Sequence, residues 1–274
     1  MTKLKIANLY YDIMNLYGEN ANIRALVKFA EYQGIQTEVH NLTIGDKIDF
    51  EKYDIYYIGS GTEKSELLVL KDIMNYQNEI RKAIMTNKHF LVTGNAIEFF
   101  GEYININEVK YPALNIFPYR VLHENYRIVG SVVMSMTGIK EKIIGFQNRC
   151  GIMIDDDRPL FKVIEGTGCY INSNKEGYWY RNFFGTYIFG PLLIRNPHFT
   201  NYLLKSIMST KNKKYKFKII NNIPEIEAYN KYIENFNIKK IGNWTAPFGV
   251  DTNKKIVQIN YSIIHLRKEV FYYG

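Results

Sequence analysis

The chain has very little cysteine and no long hydrophobic run. Only Cys150 and Cys169 occur among 274 residues, which excludes a disulfide scaffold, and no cysteine or histidine pair has metal-ligand spacing. No apolar stretch approaches the ~20 residues of a membrane helix. The first residues do not read as a secretory signal. We therefore expect a cytoplasmic protein without a membrane span, a metal or a cofactor.

Basic residues outnumber acidic residues, but the positive charge is unevenly distributed along the chain. The net charge is +8, from 35 basic and 27 acidic residues. Residues 211–274 carry 12 basic and 5 acidic residues, whereas the preceding residues carry 23 and 22 and are close to neutral. The basic signal therefore belongs to the C-terminal quarter and does not by itself indicate nucleic acid.

The first hundred residues alternate strand and helix patterns, which favours a parallel sheet. Short apolar runs at 4–9, 37–42, 53–58 and 90–93 predict strands, and residues 22–32, 66–75 and 79–85 predict helices. Gly34 ends the first helix, in the position that favours glycine. The small residues 94–96 then turn the fourth strand directly into a helix starting at Ile97.

The pattern changes to short alternating segments from residue 127 onward. Strands are predicted at 127–136, 142–147, 161–165, 177–181 and 184–189, followed by helices at 201–208 and 224–236. These strands fit an antiparallel extension of the α/β sheet. We expect one domain over residues 1–210 and a basic, aromatic-rich extension over 211–274, which packs on the domain or on a partner.

Three segments carry a family resemblance. They are residues 9–23, residues 93–101 (Thr-Gly-Asn-Ala-Ile-Glu-Phe-Phe-Gly) and residues 184–197 (Phe-Gly-Thr-Tyr-Ile-Phe-Gly-Pro-Leu-Leu-Ile-Arg-Asn-Pro). Together they resemble class I glutamine amidotransferases of the cobyric-acid-synthase-like (CobB/CobQ) branch, and especially glutaminase subunits that amidate lipid II with a Mur-ligase-like partner. The resemblance implies a flavodoxin-like α/β domain flanked by helices.

The chemistry that the resemblance implies requires two residues that this chain lacks. A glutaminase of this class needs a thiolate nucleophile and a histidine that transfers its proton. Aligned on the framework residues of the two motifs, the nucleophile position is Gly94 and the base position is Phe189. Glycine has no side chain and phenylalanine cannot accept a proton, so the sequence predicts the loss of the catalytic pair.

Other residues offer weak substitutes for that pair. Thr93 is one position too early on the strand and lacks an adjacent base. Cys150 could approach the pocket, but a lone cysteine is more often a small buried hydrophobe, and the same interpretation applies to Cys169. We interpret all five histidines as structural: His40, His89, His123, His198 and His265.

Several residues remain candidates for binding a small ligand such as glutamine in a residual pocket. Arg127 matches an arginine that, by resemblance, would hold the glutamine carboxylate, although it could equally be a surface strand residue. Gly59 and Gly61 frame the loop after the third strand. Asn95 and Glu98 stand where the family has glycine and glutamine, and we include them as substrate-binding candidates.

Three functions remain open from the sequence. The first is a catalytically degenerate amidotransferase-like protein that serves as a binding or regulatory subunit of an amidating synthetase complex. The second is an active glutamine-hydrolysing subunit that uses unrecognised residues. The third is nucleic-acid binding through residues 211–218, where lysines alternate with aromatic residues. We favour the first, and for residues 211–218 we favour a solvated linker that leads into an edge strand.

Overall fold

The computed structural model describes residues 3–155, 157–220, 222–239 and 256–257. Its first sheet has six strands: β1 (Lys3–Leu9), β2 (Gln36–Leu42), β3 (Ile55–Ile58), β4 (His89–Thr93), β11 (Tyr178–Tyr180) and β12 (Phe183–Thr186). Their order is β11-β12-β4-β3-β1-β2, and every pair is parallel except β11 with β12. This confirms the predicted α/β class with a mostly parallel central sheet.

Helices cover both faces of this sheet. They are α1 (Ala21–Tyr32), α2 (Glu63–Ile73), α3 (Gln77–Met85), the short α4 (Leu192–Arg195), α5 (Pro197–Lys211) and α6 (Pro224–Lys239). Gly34 follows α1 with a φ of +71°, as predicted. Within the described part of the chain, none of the helices combines the length and apolar character needed to cross a membrane.

A second sheet forms the antiparallel extension. It contains β5 (Tyr103–Ile106), β6 (Val109–Pro112), β7 (Arg120–Met136), β8 (Ile139–Ile154), β9 (Phe161–Glu165), β10 (Lys175–Glu176) and β13 (Ile256–Val257). The long hairpin of β7 and β8 is its main element. Both strands run well beyond their predicted bounds, so they reach the carboxyl edge of the first sheet.

The central strands are buried on both faces, which is why β3 and β4 read as continuous apolar runs. Alternate residues enter two different cores. Tyr56 and Val92 join one cluster, and Tyr57 and Leu91 join the other. Each cluster also contains residues of the second sheet, so the two sheets share their hydrophobic interior.

The helix predicted from Ile97 is present as a 3-10 helix over residues 94–100, so it begins three residues earlier than predicted. One expectation is wrong. Residues 212–220 form no edge strand, because the side chain of Gln33 binds both the N–H and the carbonyl of Lys218. Residues 240–255 and 258–274 of the predicted extension lie outside the described residues.

Candidate functional site

The nucleophile position lies at the carboxyl end of β4, between β3 and β12. Gly94 follows Thr93 with a φ of +62°, in the left-handed region that favours glycine. A sharp turn at this edge is where open α/β sheets present reactive groups. Here the turn is present, but its first residue offers no side chain.

Ser60 fills the space that a side chain at position 94 would need. A Cβ built on Gly94 would lie 2.3 Å from both Cβ and Oγ of Ser60. Ser60 is itself buried, and its Oγ donates a hydrogen bond to Asn95 Oδ1 at 3.2 Å. At the predicted nucleophile position, the volume that a side chain would occupy is therefore taken by Ser60.

The predicted base position, Phe189, is also part of an aromatic packing contact. The ring of Phe189 stacks on Tyr17, with centroids 4.6 Å apart and planes 6° from parallel. It also meets the Phe146 ring edge-on at 5.8 Å. An apolar ring in this aromatic contact neither takes nor gives a proton. The next residue, Gly190, keeps a positive φ of +80°.

A buried carboxylate lies directly beside the base position. Glu19 Oε1 accepts a hydrogen bond from the N–H of Gly190 at 3.0 Å, and its Oε2 accepts from Tyr57 at 3.0 Å and from Thr93. Burial raises the pKa of Glu19, while these donors oppose the shift. The hydroxyl of Thr93 is thus bound within this network, which leaves it a poor nucleophile.

The predicted glycines serve close packing. A Cβ on Gly59 would lie 2.4 Å from the carbonyl oxygen of Met14, and one on Gly61 would lie 2.5 Å from the sulfur of Met14. The N–H of Gly61 donates to Asn95 Oδ1 at 2.9 Å, and Asn95 in turn donates to Glu66 at 3.0 Å. Hydrogen bonds within the protein therefore hold the turn that was proposed to bind a ligand.

Arg127 reaches the pocket, but its guanidinium is engaged. It forms an ion pair with Glu63 at 2.5 Å and donates to the side-chain and backbone oxygens of Asn148 at 2.7 and 3.1 Å. Burial raises the pKa of Glu63, but Arg127 outweighs this and holds it below its usual range. A ligand carboxylate would have to displace Glu63 to pair with Arg127.

Glu98 belongs to a buried acidic cluster that the sequence did not predict. Glu98 Oε2 lies 2.6 Å from Nε2 of His123, and Glu66 from α2 completes the group. Burial and the negative charge of Glu98 raise the pKa of Glu66 well above its usual range. Burial lowers the pKa of His123, but Glu98 outweighs that effect and raises it to about 11.

The pocket also contains Ser60, Glu66, His123 and Cys150, to which the sequence assigns no functional role. His123 and Cys150 lie in adjacent positions of the β7–β8 hairpin, with Cys150 Sγ 3.5 Å from His123 Nδ1. Only strand register brings them together, and spacing along the chain gives no sign of it. By contrast, the candidates Gly61, Asn95, Glu98 and Arg127 all line the same pocket.

The residual pocket is very small. Its volume is about 30 Å³, whereas pockets for small molecules typically hold about 300–1,000 Å³. This is enough for one water molecule or one ion. In this conformation the pocket has no room for glutamine.

Comparison with known proteins supports the fold and the motifs. Residues 5–197 match the CobB/CobQ-like glutamine amidotransferase domain. The chain is 30% identical over 241 residues to the Staphylococcus aureus protein "Lipid II isoglutaminyl synthase (glutamine-hydrolyzing) subunit GatD", covering 88% of this chain and 99% of that protein. The Streptococcus pneumoniae protein of the same name is 29% identical, over 76% and 82% of the two chains.

A solved glutamine amidotransferase also superposes on the chain, with a TM-score of 0.48 and 10% identity over 73% of this chain and 98% of that one. A TM-score and a sequence identity this low do not support an inference about function. The domain match alone spans well over half of the sequence and ends just beyond the motif around Phe189. The chain belongs to the CobB/CobQ-like glutamine amidotransferase family.

Proposed function

We propose that this chain is a catalytically degenerate amidotransferase-like subunit, which binds an amidating synthetase in the cytoplasm and does not hydrolyse glutamine. One observation carries the proposal: the nucleophile position is Gly94, and Ser60 occupies the space of its missing Cβ. Nucleophilic attack on the side-chain amide of glutamine needs a sulfur or oxygen atom at that point. The aromatic packing of Phe189 removes the proton-transfer group as well.

Residues of the retained family motif make structural hydrogen bonds that do not depend on catalysis. Asn196 bonds to both the N–H and the carbonyl of Ile144 at 2.8 and 2.7 Å, which joins α4 and α5 to the second sheet. Thr186 and the N–H of Tyr187 both donate to Glu176. Such contacts explain why a framework can persist after its reacting groups are lost.

The relatives suggest the kind of partner. Both are named as subunits of lipid II isoglutaminyl synthase. We extend the subunit role to this chain and expect it to bind a Mur-ligase-like or related synthetase, as a binding or regulatory component. The name of each relative also states that it hydrolyses glutamine, and that is the part of the role that we do not extend.

An active glutaminase would require a substitute nucleophile, for which Cys150 is the strongest candidate. Its sulfur lies 3.5 Å from His123 Nδ1, and His123 is paired with Glu98. However, the same sulfur lies 3.7 Å from the carboxylate of Glu63. Cys150 also lies on β8, and not at the turn after β4 where open α/β sheets present reactive groups. The geometry therefore favours a chain that does not hydrolyse glutamine.

Nucleic-acid binding through residues 211–218 is also disfavoured. Base stacking needs free aromatic rings, but Tyr215 and Phe217 pack against the core beneath α1, and the Tyr215 hydroxyl donates to the carbonyl of Gln33 at 2.9 Å. Lys211 is paired with Asp54 at 2.7 Å. These contacts leave the segment without free rings for base stacking.

A glutaminase assay tests the proposal. Ammonia release from glutamine is measured for the full chain alone and together with the synthetase that co-purifies with it from the native host. We expect a stable complex and no ammonia above a heat-inactivated control. Ammonia release that disappears in Cys150→Ala would establish a relocated thiol site and overturn the proposal. Failure to recover any synthetase would overturn the binding role.

A further inference from the structure

Three side chains from separate elements converge at the floor of the residual pocket. Glu66 comes from α2, Glu98 from the 3-10 segment after β4, and His123 from β7. One ligating atom from each lies within 4.8 Å of the others. Glu66 and Glu98 are 0% and 1% exposed, so this is not a solvated acidic surface.

Two carboxylate oxygens of this group are left without partners. Glu66 Oε1 and Glu98 Oε1 are buried, and neither has a hydrogen bond among the described residues. Their other oxygens are engaged, with Asn95 and with His123 respectively. A buried carboxylate oxygen without a donor is costly, and two neighbouring carboxylates also repel each other. His123 lies beside Glu98 and can balance one of these charges, and a proton or a metal ion between the two carboxylates can balance the other.

We propose that Glu66, Glu98 and His123 bind a divalent first-row transition-metal ion. A shared proton would neutralise one carboxylate, but a divalent ion would neutralise both and give each orphaned oxygen a partner. The imidazole favours zinc, copper, iron or nickel over magnesium and calcium, which prefer oxygen ligands alone. Among the commonly available ions, we expect zinc to bind more tightly than manganese.

The surroundings of His123 suit a metal ligand. Its Nδ1 faces Cys150 Sγ at 3.5 Å, and its Nε2 faces the carboxylates. A contact on one ring nitrogen fixes the orientation of the other, as in many metal sites. In a tetrahedral zinc site, ligand atoms about 2.1 Å from the ion lie about 3.4 Å apart. The Glu98–His123 contact of 2.6 Å must therefore open by less than 1 Å.

The pocket has the volume of a single ion. Its volume of about 30 Å³ accommodates one ion or one water molecule. Metal binding requires neither Gly94 nor Phe189, so this inference does not depend on the proposed loss of glutaminase activity. The two ideas can fail separately.

Metal titration of the full chain tests the inference. The protein is treated with a chelator, dialysed and titrated with ZnCl₂ and MnCl₂ by calorimetry, and thermal unfolding is followed with and without metal. We expect one zinc ion per chain, weaker manganese binding, and a higher unfolding temperature with zinc. Glu66→Gln and Glu98→Gln should each weaken zinc binding by at least about tenfold.

The matched control is Glu63→Gln, which removes a carboxylate from the rim of the same pocket but outside the group of three. We expect its zinc affinity to stay within about twofold of the wild type, since it supplies no ligand. Absence of stoichiometric zinc binding would overturn the inference and leave a shared proton as the explanation. Unchanged affinity in Glu66→Gln and Glu98→Gln would overturn it as well, because the ion would then bind elsewhere.

A spectroscopic readout covers the case in which a variant fails to fold. Cobalt(II) replaces zinc in the wild-type chain, and its visible absorption reports the coordination number. An intense visible band at one equivalent is expected for a four-coordinate site. A spectrum identical to that of cobalt in buffer would overturn the inference without any variant.

Discussion

At the scale of single residues, positions 94 and 60 are coupled. A Cβ at position 94 would clash with Ser60, so a larger residue there would require the serine to move. The sequence predicts the first of these two features, a glycine at the family's nucleophile position, from the motif around Gly94. It does not reveal the second, because Ser60 lies 34 positions earlier and only the pairing of β3 with β4 brings it close.

This coupling predicts a specific double-mutant result. Gly94→Cys should be destabilising by about 1–3 kcal/mol from left-handed backbone strain and by about another 1–3 kcal/mol from crowding against Ser60. Adding Ser60→Gly should remove the second contribution and leave the first. Urea unfolding of the two single variants and the double variant measures the coupling. If the cost of Gly94→Cys is the same in both backgrounds, Ser60 does not fill the site.

At the scale of elements, β4 and α5 are joined through a buried histidine. Nε2 of His89, at the start of β4, lies 2.9 Å from the hydroxyl of Ser206 on α5. Burial lowers the pKa of His89 to about 3. The histidine is therefore neutral in the folded protein over a range in which the unfolded chain, with a pKa near 6.5, is protonated.

We expect this histidine to make folding sensitive to acid. Because the unfolded state binds the proton first, its contribution is complete above about pH 7 and is lost as the pH falls from about 6.5 towards 3. The slope is at most about 1.4 kcal/mol per pH unit. His89→Gln should flatten the stability curve between pH 7 and pH 4, measured by urea unfolding at several pH values. His198→Gln, at a half-buried position on the surface of α5, is the control, and an equal flattening there would contradict the prediction.

The segment after α5 depends on one side chain of the loop that follows α1. Gln33 binds the backbone of Lys218 through two hydrogen bonds, of 2.8 and 2.9 Å. Removing both, at about 1 kcal/mol each, should raise the open population of residues 212–220 by roughly 30-fold. We expect trypsin to cut Gln33→Ala faster at Lys213, Lys214, Lys216 and Lys218. The exposed Gln36→Ala is the matched control, and equal cleavage of the two variants would argue against this anchor.

Elements were predictable where one face or both faces are buried. Residues 90–93 and 161–165 read directly as strands from their apolar pattern, and the structure agrees. The bounds of β7 were not predictable, because residues 120–126, apart from the buried Val121, are polar or only partly buried, and β7 pairs with β8 through a register shift. His123 lies in that irregular stretch. The hydropathy pattern therefore gave no sign of a residue that contributes to the pocket.

At the scale of the whole molecule, the pocket is a junction between two sheets. Gly94 and Ser60 come from the parallel sheet, whereas His123, Arg127 and Cys150 come from the long hairpin. The same junction continues into the hydrophobic interior, where Leu91 of β4 and Met134 of β7 belong to one cluster. A shared core implies that the sheets stabilise each other and unfold together.

Met134→Ala tests this cooperativity. Met134 is fully buried in the second sheet, and truncation of such a side chain costs about 2–5 kcal/mol. If the sheets form one cooperative unit, hydrogen exchange in β3 and β4 should accelerate by the same factor as exchange in β7 and β8, although the substitution touches only the second sheet. Hydrogen exchange followed by mass spectrometry resolves these strands separately.

The exposed Lys140→Ala, in the same hairpin, should leave both sets unchanged. Faster exchange in β7 and β8 with unaltered β3 and β4 would instead show that the hairpin opens on its own, and the pocket could then open with it.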